Sequence, residues 1–429
     1  MSRSRLPWRV ATALVAWMAA PGPLPALAQD GPEAVSTSVT GEARLRHEAY
    51  ARPEWGNAPD DGYLWLRVIP MVKAEAGPVG VVVQPILAYA RGVAGGAGPV
   101  DRTGIDLAQA YADLTLPLDD RTRFGVRGGR ALIALGSERL VGKRYGPNVP
   151  QPFDGLQVNL ARGAARLDLL HVWATEIGPG DFDDGSVRRR RLRSAYLTME
   201  PAPNVHFDFY WIGYADRAAR FGGIGGREER DTFGLRMSGQ RGRLAWNWET
   251  MIQRGHFAGQ GVRAWSQATE TSVRFPQTPL SPQLRLRANI ASGDRSPTDR
   301  RLGSFNAMFP KGRYFGELTP LGPRNIVNVN PGIVLDPGSG VQVEINLAAF
   351  WRASRFDGIY DLSGRELREP GTARARHIGN LAEIGLSVDL PRGLSFAASA
   401  GAFTAGPFIE QTGSSGTIWM AGTEMTWRF

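Results

Sequence analysis

Ile418 to Phe429 reads IWMAGTEMTWRF. Counting back from the end, Phe429, Trp427, Met425, Thr423, Ala421 and Trp419 share one face, while Arg428, Thr426, Glu424, Gly422 and Met420 share the other. Alternation of period two makes this a strand with an apolar and a polar side. A soluble sheet could use such a strand. A barrel in lipid uses it more directly, because rings at the lipid face and a polar side toward a lumen are what closure requires.

Working outward, strand-like runs and breaks fill the chain without a useful helical period. The spacing predicts strands over 39–50, 63–75, 79–89, 107–116, 123–129, 156–160, 166–175, 192–199 and 205–215. It continues with 232–238, 243–253, 262–275, 283–291, 325–335, 341–351, 376–390, 394–403 and 418–429. Breaks such as Gly77-Pro78, Pro201-Ala202-Pro203-Asn204 and Asp336-Pro337-Gly338 are short. They alternate with long ones, among them Glu176–Arg190, Asp216–Glu229, Arg254–Gly261 and the stretch from 292 to about 324. Short turns alternating with long loops are the habit of outer-membrane barrels, where the periplasmic turns are the short ones. A soluble sandwich has no reason to keep that rhythm. The expected fold is therefore all-β: a transmembrane antiparallel β-barrel of about 18 strands with long extracellular loops.

The chain has 429 residues and no cysteine, which excludes a disulfide framework and a thiol nucleophile. Residues 1–28 read as a signal peptide: Arg3, Arg5 and Arg9, then apolar Val10–Ala20, then Ala26-Leu27-Ala28 before Gln29. The expected domain plan is that peptide followed by a single barrel over 29–429, exported to the outer membrane of a Gram-negative bacterium. The formal net charge is +9, and all but three of the 50 basic residues are Arg, the exceptions being Lys73, Lys143 and Lys311. A GC-rich genome would produce that ratio. So would selection for guanidinium forks that grip carboxylates bidentately.

Parity assigns faces. Leu64, Leu66, Val68 and Val72 should meet lipid, with Arg67, Lys73 and Glu75 turned inward. Glu42, Arg44, Arg46 and Glu48 share a face, and Gln283, Arg285, Arg287 and Asn289 oppose Leu284, Leu286, Ala288 and Ile290. Arg243, Asn247, Glu249 and Gln253 oppose Leu244, Trp246, Trp248 and Ile252. A charge on the lipid face costs roughly 2–4 kcal/mol at mid-bilayer, so charged faces must look into water. The inward arginines either pair with wall carboxylates or form an anion-favouring constriction. The clusters Arg44 with Arg46, Arg127 with Arg130, and Arg285 with Arg287 are the first candidates.

Several stretches resemble one family: Asp106-Leu107-Ala108-Gln109-Ala110-Tyr111-Ala112-Asp113-Leu114, Gly129-Arg130, Gly136-Ser137-Glu138-Arg139-Leu140-Val141-Gly142 and Phe153-Asp154-Gly155. Ala291-Ser292-Gly293-Asp294, Phe305-Asn306-Ala307-Met308-Phe309-Pro310-Lys311-Gly312, Asn325, and Phe350-Trp351-Arg352-Ala353-Ser354 with Asp357-Gly358-Ile359-Tyr360 continue the pattern. In order and spacing from about residue 37 these resemble the alginate export family of outer-membrane barrels. The resemblance implies a monomeric 18-stranded barrel with an Arg-lined conduit for an anionic polysaccharide, and by motif it carries Arg130, Arg139 and Arg352 over as pore residues. The alternative is an uptake porin for small anionic solutes such as carboxylates. A blocked lumen would suit small solutes, and a continuous open groove would suit a polymer. Expected partners are that polysaccharide or solute, outer-membrane lipid and lipopolysaccharide, the barrel-assembly machinery and periplasmic export proteins, with no nucleic acid and no cofactor.

Other chemistry is discounted. His47, His171, His206, His256 and His377 lack metal-binding spacing, so no metal is expected. An outer-membrane hydrolase of lipase type would need a Ser–His pair at the membrane boundary. His171 falls on an outward face, where residence in the aromatic belt explains it. Gly222-Gly223-Ile224-Gly225-Gly226 precedes no helix and reads as loop. The Arg188–Arg191 run is expected to pair with Asp181, Asp183 and Asp184 or with anionic lipid.

Overall fold

The computed structural model describes residues 35–429, apart from 145 and 297. The expected signal peptide lies outside the described residues. The strands are β1 (Ser36–Ala51), β2 (Asp61–Ala76), β3 (Val79–Arg91), β4 (Thr103–Asp119), β5 (Thr122–Leu132), β6 (Pro152–Arg162) and β7 (Ala165–Glu176). Next come β8 (Gly185–Ala202), β9 (Val205–Phe221), β10 (Ile224–Arg241), β11 (Leu244–Phe257), β12 (Gln260–Arg274) and β13 (Gln283–Ala291). The short β14 (Arg301–Leu302) precedes β15 (Ile326–Gly338) and β16 (Val341–Arg352). The short β17 (Ile359–Tyr360) and β18 (Glu366–Arg368) precede β19 (His377–Asp389), β20 (Leu394–Ala405) and β21 (Ile418–Arg428). Setting aside the three short pieces, 18 strands pair antiparallel in sequence order.

The barrel closes where the sequence reading began. β1 pairs with β21 from Glu42 opposite Arg428 to Ala51 opposite Trp419. Gly41 N–H donates to the Phe429 carbonyl at 2.8 Å, and Phe429 N–H returns to Gly41 at 3.1 Å. Among the 18 barrel strands described, none is left as an edge to template another chain. Parity holds around the wall. Leu45, Val72, Leu284, Trp248 and Trp419 are exposed toward lipid, whereas Glu42, Arg44, Arg46, Glu48, Arg67 and Glu249 are buried on the inner side.

Two of the expected long loops are tight turns instead. β9 and β10 are joined by Gly222-Gly223, at φ of 50° and 76°, and β11 and β12 by Ala258-Gly259, at φ of 46° and 82°. Positive φ at both central residues gives the turn whose twist continues a hairpin. The segments 216–229 and 254–261 are therefore strand extensions. Above the membrane both faces of a strand meet water, so the apolar alternation that marks a strand lapses there.

Candidate pore and its folded-in loops

The extracellular half of the lumen is filled by the chain's own loops, 133–151 and 292–325. They pair with each other: Val141 bridges Phe309 in parallel, Phe309 N–H donates to the Leu140 carbonyl at 3.0 Å, and Lys311 N–H donates to Glu138 at 2.8 Å. Leu140, Val141, Phe305, Phe309, Phe315 and Leu318 are buried there against Phe153, Phe350 and Phe403 of the wall. The lumen is thus not uniformly wet, as parity alone implied. It carries an apolar plug at one end, because loop residues have no period from which their burial can be read.

Inward polar side chains of the wall peg this plug by its backbone. Arg230 donates to the Ser304 carbonyl at 3.0 Å, Gln253 to Asn306 at 2.7 Å and Asn330 to Phe315 at 3.2 Å, while Glu383 accepts from Leu318 N–H at 2.5 Å. On the other side, Arg44 donates to the Pro147 carbonyl at 2.9 Å, and Arg67 reaches Pro147 and Asn148 at 3.3 Å while pairing with Glu42 at 2.7 Å. Polar groups taken out of water need such partners.

Beneath the plug lies a cavity of about 440 Å³ bounded by residues of β1, β12, β13, β15, β16, β19, β20 and β21 and by the loop segment 311–317. Its charges are mixed. Arg46, Arg285, Arg287, Lys311 and Arg313 face Glu48, Glu270, Glu317, Glu344, Glu383 and Glu424. Arg285 and Arg287 share Glu344, and Arg287 also reaches Glu270 at 3.6 Å. Arg46 pairs with Glu48 and lies 3.4 Å from Glu424. Arg313 pairs with Glu317 at 2.6 Å and reaches Glu424 at 3.7 Å. The two flanks differ. Arg285, Arg287 and Lys311 outnumber Glu344 and Glu270, whereas Glu48, Glu317, Glu383 and Glu424 outnumber Arg46 and Arg313. Of the two arrangements the sequence allowed, these arginines adopt pairing with carboxylates, and the ion pairs form a lattice with a field across it.

The nine arginines singled out from sequence separate into groups. Arg46, Arg285 and Arg287 line the cavity. Arg139 lies just beside it, buried, donating to Glu249 at 2.8 Å and to Ser137 at 2.7 Å. Arg44 and Arg67 are buried as anchors of loop 133–151, and Arg44 also lies 3.8 Å from Glu424. Arg127 faces inward, stacked 4.0 Å over Tyr111 and 3.9 Å from Asp113, away from the constriction.

Two of them lie away from this cavity. Arg130 lies opposite Asp154 in a register that also sets Gly128 opposite lipid-exposed Leu156, so it is turned outward near the rim. There it binds Asp154 at 2.8 Å and Asp106 at 3.3 Å. It is three positions along from Arg127, and an odd offset in a strand places two side chains on opposite faces. Arg352 is fully buried, donating to carbonyls of Ala373, Ala375, Arg355 and Asp357 over the Phe408 ring, and so it holds loop 353–376 together.

Sequence reading missed Lys311 and Arg313, which sit in a loop without a period, and Arg230, which fell between the loop read over 216–229 and the strand read from 232. Arg236, inward on β10 and 2.7 Å from Asp208, was within reach of the parity argument. The Arg188–Arg191 run forms the outer end of β8 rather than a loop. Its Arg189 and Arg190 pair with Asp216 across the sheet, at 3.5 and 3.2 Å, and not with Asp181, Asp183 or Asp184. His171 faces outward, its ring tilted at 45° to that of Trp173 with the centroids 4.9 Å apart.

One loop carboxyl is set apart. Burial, then Asp357 and Glu369, push Glu366 up to about 7 against the pull of Arg324. An acid whose folded pKa is raised holds its proton in the folded loop, so loop stability falls as pH rises from the ordinary glutamate range through about 7 and is level above that. Limited proteolysis of loop 353–376 should therefore be faster at pH 8 than at pH 5, and E366Q should flatten that difference.

Comparison with known proteins agrees with this architecture. OccK5 (OpdH) of Pseudomonas aeruginosa superposes with a TM-score of 0.62 at 11% identity, covering 92% of this chain and 98% of its own. OccK2 (OpdF) of the same organism, solved in complex with glucuronate, gives 0.61 at 13% identity over 92% and 98%. Pseudomonas aeruginosa OpdK, solved with vanillate, gives 0.60 at 11% identity over 91% and 98%. No curated protein matches the sequence. The sequence profile described as alginate export matches residues 35–418. With its closed barrel, lipid-facing apolar surface and charged interior, this chain is an outer-membrane channel of a Gram-negative bacterium and belongs to the alginate export family.

Proposed function

We propose that the protein is a passive channel for small solutes that carry a carboxylate and several hydroxyl groups, of about the size of a sugar acid. One observation carries the reading: loops 133–151 and 292–325 join each other inside the barrel above a cavity of about 440 Å³, a narrowing that suits a small solute better than a polymer. In that cavity Arg285 and Arg287 share Glu344, with Glu270 reached by Arg287 at 3.6 Å, so the two guanidiniums retain donors for a solute anion. The carboxylate-rich flank around Glu317 and Glu424 accepts hydroxyl protons from the same solute. A transverse field of this kind orients a dipolar solute without holding it tightly, as conduction requires. The bound glucuronate of OccK2 is a solute of this class, in a barrel of the same fold.

A second reading, passage of an anionic polysaccharide such as alginate, is favoured by the family match. It requires the plug to swing aside, with direction set by a gradient or by periplasmic partners.

In planar bilayers under a salt gradient, R285Q/R287Q should shift the reversal potential toward cations. E344Q, which frees both arginines from their shared partner, should shift it toward anions. Proteoliposomes should take up glucuronate faster than a neutral sugar of equal size, and R285Q/R287Q should abolish that preference. Unchanged reversal potentials and equal uptake would overturn the proposal.

A further inference from the structure

Every inward arginine described above has a carboxylate or carbonyl partner, but a group on the outer wall has none. In the register of β7 to β12, His171, Arg193, Gly213, Asp231, Arg254 and Arg263 form one continuous cross-strand row. All share the outward face. One pleat toward the periplasm, the next row holds Trp211, Phe233, Ile252 and Trp265, of which Phe233, Ile252 and Trp265 are exposed toward lipid. The wall thus changes from apolar and aromatic to cationic in a single step, at the rim side of the membrane. Aromatic side chains with a polar edge mark the level of the headgroups.

Arg193, Arg254 and Arg263 are exposed and make no ion pair or hydrogen bond among the described residues. Arg254 and Arg263 stand directly opposite each other. Like charges in that position repel. The row's one acid, Asp231, accepts instead from the Trp211 indole N–H at 2.9 Å. An outward arginine costs little at the interface, and its stem can reach up to the headgroups. Two facing guanidiniums nonetheless lack a counter-charge. Nothing comparable stands on β21, whose outward residues from Trp419 to Trp427 carry no charge.

We infer that the outer wall of β7 to β12 is a docking surface for a phosphorylated glycolipid of the outer leaflet, with Arg193, Arg254 and Arg263 binding its phosphates and the aromatic row beneath packing on its acyl chains. Guanidinium forks match phosphate oxygens bidentately, and one phosphate placed between Arg254 and Arg263 would relieve their repulsion. The surface is independent of the channel's solute.

The test uses the full barrel in detergent and native mass spectrometry, with bisphosphorylated lipid A, its dephosphorylated form and phosphatidylethanolamine as probes. Wild type should retain bisphosphorylated lipid A well above the other two. R193Q/R254Q/R263Q should weaken that retention by roughly a hundredfold, whereas R121Q/R162Q/R392Q at the periplasmic turns should not. Compact heat-sensitive mobility on gels confirms that each variant has assembled, and the three single variants are read if the triple does not. Equal retention by the rim variants and wild type, or equal affinity for the dephosphorylated lipid, would overturn the assignment.

Discussion

Replacing residues 305–318 with a short Gly-Ser linker is expected to raise single-channel conductance several-fold. That segment brings Phe305, Phe309, Phe315 and Leu318 into the lumen core and supplies Lys311 and Arg313 at the edge of the cavity. The barrel does not depend on it, since every strand has both neighbours without it. What is lost is the plug's pairing with loop 133–151 and the backbone groups pegged by Gln253, Asn330 and Glu383. Those wall side chains would return to water, where polar groups carry no burial penalty. The variant should assemble as a closed barrel, conduct more, and discriminate less between glucuronate and a neutral sugar. Conductance equal to wild type would show that the ion path avoids the plug.

Asn325→Ala should free the extracellular loops while leaving the barrel folded. Asn325 is fully buried, at a φ of 47°, and its amide donates to the carbonyls of Ser354, Asp357 and Gly358 at 3.0, 3.0 and 2.8 Å. Its side-chain oxygen accepts from Ser354 N–H at 2.6 Å. Gly293 lies against that oxygen so closely that a Cβ there would collide with it. Alanine withdraws the amide from all of these groups, of which the Asp357 carbonyl still accepts from Arg352, and keeps the left-handed backbone, which asparagine tolerates better, so the local cost should be about 3–5 kcal/mol. Loops open locally before a barrel unfolds. Protease should then cut within 353–376 at least tenfold faster than in wild type, with the urea midpoint of the barrel little changed. An unchanged cleavage rate would mean that Arg352 and its carbonyl partners hold the loop alone.

How much of this was legible in the chain follows from where water lies. Within the membrane one face of each strand meets lipid and the other does not, so the alternation in IWMAGTEMTWRF or in Gln283–Ile290 fixes the face of every residue. All eighteen predicted barrel strands are present. Outside that band the signal fades, as at 216–229, where hairpin turns at Gly222-Gly223 extend strands with no apolar side. The cavity was half legible. Arg46, Arg285 and Arg287 were found by parity, and so was Glu48, two residues from Arg46 on the same face of β1; but Glu344 and Glu424 sit on other strands, and register across the barrel is set by closure rather than by local pattern. Motif resemblance alone pointed at Arg352, whose guanidinium is wholly taken up by backbone carbonyls. The plug was out of reach, because contacts between Val141 and Phe309 depend on two loops meeting inside a wall neither belongs to.

The most direct measurement is permeation of uronate of graded length into proteoliposomes containing the wild-type barrel. Monomer and dimer should enter, and long oligouronates should be excluded until the 305–318 plug is replaced. Entry of long oligomers through the intact protein at the rate of the monomer would contradict the account.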